Sequence, residues 1–316
     1  MTGIIDVGGG TRGVYGAGVF DRCMTDNIRF DYVIGVSAGA ANGAAYCAGQ
    51  KGRNYLFYTE YALRREYMGL ETLRETGSFI GLDYIYSDLS NSDGENPLDY
   101  AAMMTSGIRF EIVATNALTG EPVYFRKEDM AQDRYDAIKA SCCVPFVNKP
   151  YCIDGVPYFD GGVSDPIPLD RAFAAGCDKV VLILTRPLNA QPGSLSSALA
   201  VHALQKEYPK TAEAIAARGA LYAEGIKKAL ALQEEGKVLI VAPDDIGNLK
   251  TLTKDAAVLD KLYKKGFRDA RSIRSFAANS ELGTSKNYSN LRKKEIIKEE
   301  SPKSQGFPDK MLKSIQ

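Results

Sequence analysis

The sequence holds a single histidine, His202, among 316 residues. Any Ser-His-Asp arrangement would have to use it. None of the six cysteines (Cys23, Cys47, Cys142, Cys143, Cys152, Cys177) is spaced as a C-x-x-C pair. With one histidine beside them, no structural zinc site is expected; most lie in apolar stretches and read as buried thiols. Net charge is also missing, because 39 basic residues balance 39 acidic ones. Nothing in that total recruits nucleic acid or an acidic membrane. No run approaches ~18 consecutive apolar residues, so no spanning helix is expected. Met1-Thr2-Gly3 leads straight into Ile4-Ile5-Asp6-Val7, without a basic start or a long apolar core. A secretory signal is therefore not expected, and a reducing cytoplasm is. No internal repeat is visible.

What is present is the balance of a soluble globular chain, 45% hydrophobic and 25% charged, long enough for a sizeable core. Near-continuous apolar runs at Ile4–Val7, Tyr32–Gly35, Phe110–Thr115, Lys179–Leu184 and Lys237–Val241 predict strands buried on both faces. Helical patterns lie between them, at Tyr15–Cys23, Ala38–Ala48, Tyr55–Arg74, Arg134–Ser141 and Asp170–Ala175. That alternation predicts an α/β layer fold with a mostly parallel sheet. Thr119-Gly120-Glu121-Pro122 and Asp154-Gly155 read as hairpin turns. After about Leu195 the texture becomes helical. Thr211–Gln233 carries Ala212, Ile215, Ala216, Leu221, Ile226, Leu230 and Leu232 at roughly helical spacing, and Lys254–Ala277 reads as a helical pair.

The chemistry-bearing features come in three pieces. Gly35-Val36-Ser37-Ala38-Gly39 follows a strand and opens a small-residue helix. This is the context of a nucleophile elbow, with Gly35 and Gly39 admitting the sharp turn. The bland alternative is a tight strand-to-helix turn with an incidental serine. Gly8-Gly9-Gly10-Thr11-Arg12-Gly13 follows the first strand. As G-x-G-x-x-G it could hold a dinucleotide, but Asp31 precedes its strand, whereas a ribose-binding carboxylate ends one. The other reading is an oxyanion hole of converging backbone amides. Arg12 there either adds positive charge or fixes the loop, and the loop role is favoured. Phe159-Asp160-Gly161-Gly162-Val163 puts a carboxylate at a strand end; alone it reads as an Asx-type turn. His202 sits in a helical stretch, Ser197–Leu204, away from any loop that could offer it to Ser37. A nearby carboxylate is then the plausible proton acceptor for a serine nucleophile.

Taken in order, the glycine-rich loop, G-x-S-x-G and D-G-G resemble the patatin-like phospholipase family. Ala140-Ser141-Cys142-Cys143-Val144-Pro145 looks like the family's A-S-x-x-x-P segment. The resemblance runs from about Ile4 to Pro187, and the helical extension to about Ala277 is similar to that of bacterial cytosolic members. It implies a patatin-like three-layer fold, with a catalytic domain at 1–187, a C-terminal helical extension at 188–280 packed on it, and a polar, mobile tail at 281–316. It further implies a Ser37–Asp160 dyad within hydrogen-bond reach, about 2.6–3.2 Å. Gly161 and Gly162 would form the turn after the base. Oxyanion donors would come from Gly9 and Gly10 with their neighbours Gly8, Thr11, Arg12 and Gly13. Where many members carry an acid directly before the glycines, this chain has Val7, with Asp6 one place earlier.

The implied reaction is hydrolysis of carboxylic esters of lipids through an acyl-enzyme, with no cofactor and no metal. The implied partner is a lipid or other acyl-ester substrate, and no nucleic acid. The basic tail, with eight Lys or Arg against four Asp or Glu from Gly283 to Gln316, could make transient membrane-surface contact. Two alternatives stay open: a thioesterase or general carboxylesterase on the same dyad, and an idle binding or regulatory protein on this fold. Aromatic residues crowd Tyr55–Met68 and Phe79–Tyr86; they suit either a cap over an apolar pocket or ordinary core.

Overall fold

A computed structural model describes residues 1–190 and 194–278; the tail expected at 281–316 lies outside the described residues. Eight strands form one sheet: β1 (Thr2–Asp6), β2 (Tyr32–Val36), β3 (Arg109–Asn116), β4 (Pro122–Arg126), β5 (Tyr151–Ile153), β6 (Val156–Asp160), β7 (Lys179–Ile183) and β8 (Val238–Val241). The order is β5-β6-β3-β2-β1-β7-β8, with β4 paired to β3. From β3 to β8 neighbouring strands are parallel, whereas β4, β5 and β6 join antiparallel. The two expected hairpin turns connect β3 to β4 and β5 to β6.

The helices are α1 (Val14–Thr25), α2 (Ala38–Cys47), α3 (Arg53–Thr59), α4 (Leu70–Thr76), α5 (Tyr100–Thr105), α6 (Asp136–Ser141), α7 (Leu169–Ala174), α8 (Ser194–Leu204), α9 (Pro209–Glu234), α10 (Ala256–Asp269) and α11 (Arg271–Ala278). Successive strand residues point to opposite faces, and the core divides accordingly. Ile4, Val33, Phe110, Ile112 and Val181 pack on one face with α1, α2, α10 and α11. Ile5, Ile34, Val36, Val113 and Leu182 pack on the other with α7 and α9. The result is a central, mostly parallel sheet with helices on both faces. Among the described residues, no helix is long and apolar enough to cross a membrane.

Two local differences from the sequence reading have physical causes. The single helix expected over Tyr55–Arg74 is broken into α3, a 3₁₀ turn at Tyr61–Leu63 and α4. Its aromatics are claimed by different places: Phe57 and Tyr61 pack in a satellite core, Tyr58 packs in the main one, and Tyr55 bonds Asp260 on α10 at 2.9 Å. One helical face cannot serve all three, so tertiary packing overrides propensity. In α9, Ala212 and Ile215 are buried as the periodicity implies, but Leu221 and Leu230 are exposed. The segment after 187 is also more than helical, because it supplies β8 as an edge strand of the sheet. It further contributes Thr251, whose carbonyl accepts the Thr11 N–H at 2.8 Å.

Candidate active site

Strand β2 ends at Val36 and α2 starts at Ala38, leaving Ser37 alone to make the turn. It does so at φ 58°, a left-handed conformation that costs a non-glycine residue about 1–3 kcal/mol. Packing compels the turn. A Cβ on Gly35 would lie 2.4 Å from Ala40 Cα, and one on Gly39 would lie 2.1 Å from the Asp6 carbonyl oxygen. The Ser37 N–H donates to Ser141 Oγ at 2.8 Å, and Ser141 is fully buried. Ser141 is thus a positioning residue, a role no spacing in the sequence announces. Ser141→Ala should leave that buried N–H without an acceptor. Expected losses are about 1–3 kcal/mol of stability and on the order of 10–10²-fold in turnover, read by thermal melting and ester kinetics.

Asp160 arrives by sheet register. Val36, the last residue of β2, stands opposite Val113 of β3; the next residue of β3, Ala114, stands opposite Asp160 at the end of β6. Residues far apart in the chain are thereby set at successive positions of one strand. The Asp160 carboxylate accepts the Gly162 N–H at 2.8 Å. Burial pushes its pKa up; the Ser37 hydroxyl as hydrogen-bond partner, then the Arg218 charge and the Gly162 amide, pull it partly back.

The glycine loop divides its amides. The Gly8 N–H donates to Asp6 Oδ1 at 2.9 Å, and the Thr11 N–H is taken by Thr251, so neither is a free oxyanion donor. Gly9 and Gly10, both at positive φ, keep N–H groups that no protein acceptor takes among the described residues. Gly10 also has the Thr251 carbonyl 2.2 Å from where a Cβ would sit. The Gly13 carbonyl accepts from Asn42 Nδ2 at 2.8 Å, and the same amide donates to Asp6 Oδ2 at 2.8 Å. Asp6 is wholly buried; burial lifts its pKa to about 6 against the opposing bonds from Asn42 and Gly8. The Thr185 hydroxyl donates to the Gly8 carbonyl. The anchoring roles of Asp6, Asn42 and Thr185 were not legible from spacing, apart from the displaced acid before the glycines.

A narrow cleft with about 50 Å³ of free space opens over Ser37. Its walls include Tyr58, Tyr67, Met68, Leu82 and Tyr86. Part of the aromatic cluster therefore faces the serine and part, Phe57 and Tyr61, is ordinary core. Cys142, also lining the cleft, exchanges a 3.2 Å hydrogen bond with the Tyr86 hydroxyl. Among the cysteines Cys152 is exposed and the other five are buried. His202 is exposed on α8, in the extension rather than at the elbow or the glycine loop.

Comparison with known proteins follows the same outline. A family described as "Patatin-like phospholipase" matches residues 7–173, and a "Domain of unknown function (DUF6363)" matches residues 208–274. "Uncharacterized protein YjjU" of Escherichia coli (strain K12) is 33% identical over 183 residues, 57% of this chain and 50% of that protein. "Uncharacterized NTE family protein Rv1063c" of Mycobacterium tuberculosis is 24% identical over 184 residues, 58% of this chain and 49% of that protein. The chain thus spans about half the length of the curated relatives it matches. Among solved structures, VipD from Legionella pneumophila aligns with a TM-score of 0.46 at 13% identity, covering 88% of this chain and 67% of that one. With the first of these matches extending over more than half of its residues, the chain belongs to the patatin-like phospholipase family.

Proposed function

We propose that the protein is a serine acyl hydrolase of lipid carboxylic esters, with Ser37 as nucleophile and Asp160 as general base. The observation that supports this reading is the register of β3, which pairs Val113 with Val36, the residue before Ser37, and the next residue, Ala114, with Asp160. The acyl chain would enter the cleft at Ser37. A cleft of about 50 Å³ is well below the ~300–1,000 Å³ of common ligand sites, so entry requires Tyr67, Tyr86 and their neighbours to part.

Asp160 takes the Ser37 proton as Oγ attacks the ester carbonyl, and the carbonyl oxygen becomes an oxyanion. The Gly9 and Gly10 amides, with the uncapped first turn of α2, stabilise that charge. Collapse of the intermediate breaks the bond to the alkoxide, which leaves with the proton held by Asp160. Water then attacks the acyl-enzyme, again giving its proton to Asp160, and Ser37 regains a proton as the acid departs.

The base must be ionised to act. Because burial raises the Asp160 pKa, kcat/KM should fall on the acid side at a pH above the ordinary Asp range, about 3.9. A fluorophosphonate probe tests both points. Labelling of wild type should rise with pH along the same limb as kcat/KM, and Ser37→Ala should not label. Labelling that persists in Ser37→Ala, or an activity flat to pH 4, would overturn the assignment.

A further inference from the structure

One wall of the cleft over Ser37 comes from outside the segment that matches the patatin-like family. Among the described residues that line it, Leu252 belongs to the connection between β8 and α10, inside the match to the domain of unknown function. The other lining residues fall between Gly10 and Val144, within the patatin-like segment. Leu252 is half-buried. It packs against the satellite core that contains Tyr67, Met68 and Ile85, and these three line the cleft as well.

Residues on either side of Leu252 tie it to opposite walls. Thr251 is bound to the glycine loop: its carbonyl accepts the Thr11 N–H at 2.8 Å and the Thr11 hydroxyl at 3.2 Å, and its hydroxyl accepts from Arg12 Nη1 at 2.9 Å. Lys254 is bound to the aromatic side: its Nζ donates to the Met68 carbonyl at 2.5 Å and to that of Arg64 at 3.4 Å. Between these anchors the chain closes on itself, with the Lys250 N–H on Thr253 Oγ1 at 2.9 Å and the Thr253 N–H on the Lys250 carbonyl at 3.3 Å. Asp255 then caps α10, accepting the Ala257 and Val258 amides at 3.0 and 3.1 Å. The connection therefore bridges the glycine loop and the Met68 wall, and Leu252 stands between its two ends.

The free space of about 50 Å³ has room for a few waters, so a chain of more than a few carbons enters only where a wall yields. Tyr58, Tyr67, Met68 and Leu82 are buried, whereas Thr251 and Lys254 are exposed. Segments with little packed surface open first, and Tyr67 accordingly parts from its neighbours on the side where Leu252 stands. Truncating Leu252 removes apolar contact but adds room, and in a cleft this small the added room decides. We infer that Leu252, held by Thr251 and Lys254, sets the length of acyl chain that the cleft accepts, so that the extension completes the acyl site. The limit on hydrolysis rests on the function proposed above, whereas the hold of the cleft on an apolar chain does not.

Kinetics on p-nitrophenyl butyrate and p-nitrophenyl decanoate, with titration of decanoate itself, test both points. In Leu252→Ala the decanoate-to-butyrate ratio of kcat/KM should rise on the order of tenfold, the scale on which an apolar pocket discriminates a methylene. Leu252→Phe should lower it by a similar factor. The side chain is half-buried, so both variants should fold, which melting curves check. Lys254→Met keeps Leu252 but removes the tether to Met68, and should move the ratio as Leu252→Ala does, by less. A merely structural loss would lower kcat/KM on both esters alike. Decanoate should bind more tightly to Leu252→Ala than to wild type, and more weakly to Leu252→Phe. A ratio unchanged in the two Leu252 variants, or shifted the same way in both, would overturn the inference. A protein that hydrolyses neither ester, yet binds decanoate according to the size of this side chain, would leave the wall standing and remove the hydrolase reading. Neither hydrolysis nor such binding would remove the wall as well.

Discussion

Asp160→Asn should cripple turnover while stabilising the fold. Removing a general base costs on the order of 10²–10⁴ in rate. The amide keeps an oxygen for the Gly162 N–H that the carboxylate now accepts, and Asn caps such a turn as well as Asp does. What disappears is a buried charge. The carboxyl of Asp160 binds its proton more tightly in the folded chain than its ordinary value implies. Its contribution to stability is therefore fully present below the ordinary Asp pKa and is lost as pH rises through the raised value. At neutral pH the wild type carries that cost and the variant does not, so its melting temperature should rise as its activity collapses. A residue with a purely structural role would lose both together. Parallel melting curves and ester kinetics decide between them, and near-normal turnover in the variant would remove Asp160 from the reaction.

The second large effect is expected at Asp6. Asp6→Ala takes the acceptor from the Gly8 amide and from one of the two bonds of Asn42 Nδ2. The amide loop would lose its anchor, at a cost in rate on the order of 10². Its effect on stability should depend on pH. With the folded pKa lifted from 3.8 to about 6, Asp6 stabilises most below 3.8, and that contribution fades as pH rises through 6. The gap between wild type and variant should therefore narrow over this window by about 3 kcal/mol, the free energy that separates the unfolded and folded proton affinities of this carboxyl. Urea unfolding at pH 4 and pH 7 measures it; a gap that widens with pH would contradict the burial of this carboxyl as described.

The strands were legible because burial on both faces leaves near-continuous apolar runs, as in Tyr32–Val36, where every residue is buried. The elbow was legible for a local reason: Gly35 and Gly39 are demanded by contacts within a few residues of Ser37 and by Asp6. The partners that complete the site were not, because their placement is a matter of register and packing. Ser141 lies 104 residues from the amide it accepts, and Thr251 lies 240 residues from Thr11. The A-S-x-x-x-P segment marked Ser141 but not the amide it serves, and nothing in the sequence distinguishes Thr251, whose carbonyl takes the Thr11 amide, from an ordinary loop residue. The glycine loop read as donors at Gly9 and Gly10 together with their neighbours; the fold engages two of the neighbouring amides, those of Gly8 and Thr11, with Asp6 and Thr251. Likewise the amphipathic pattern of α9 gave no sign that Arg218 approaches Gly162 and brings its charge to Asp160.

The structure of the protein with Ser37 phosphonylated by a fluorophosphonate tests the assignment most directly. The phosphonyl oxygen should lie about 2.7–3.1 Å from the Gly9 and Gly10 nitrogens, with the Asp160 carboxylate facing the Ser37 Oγ. An adduct whose oxygen turns away from those amides, or a carboxylate directed elsewhere, would contradict it.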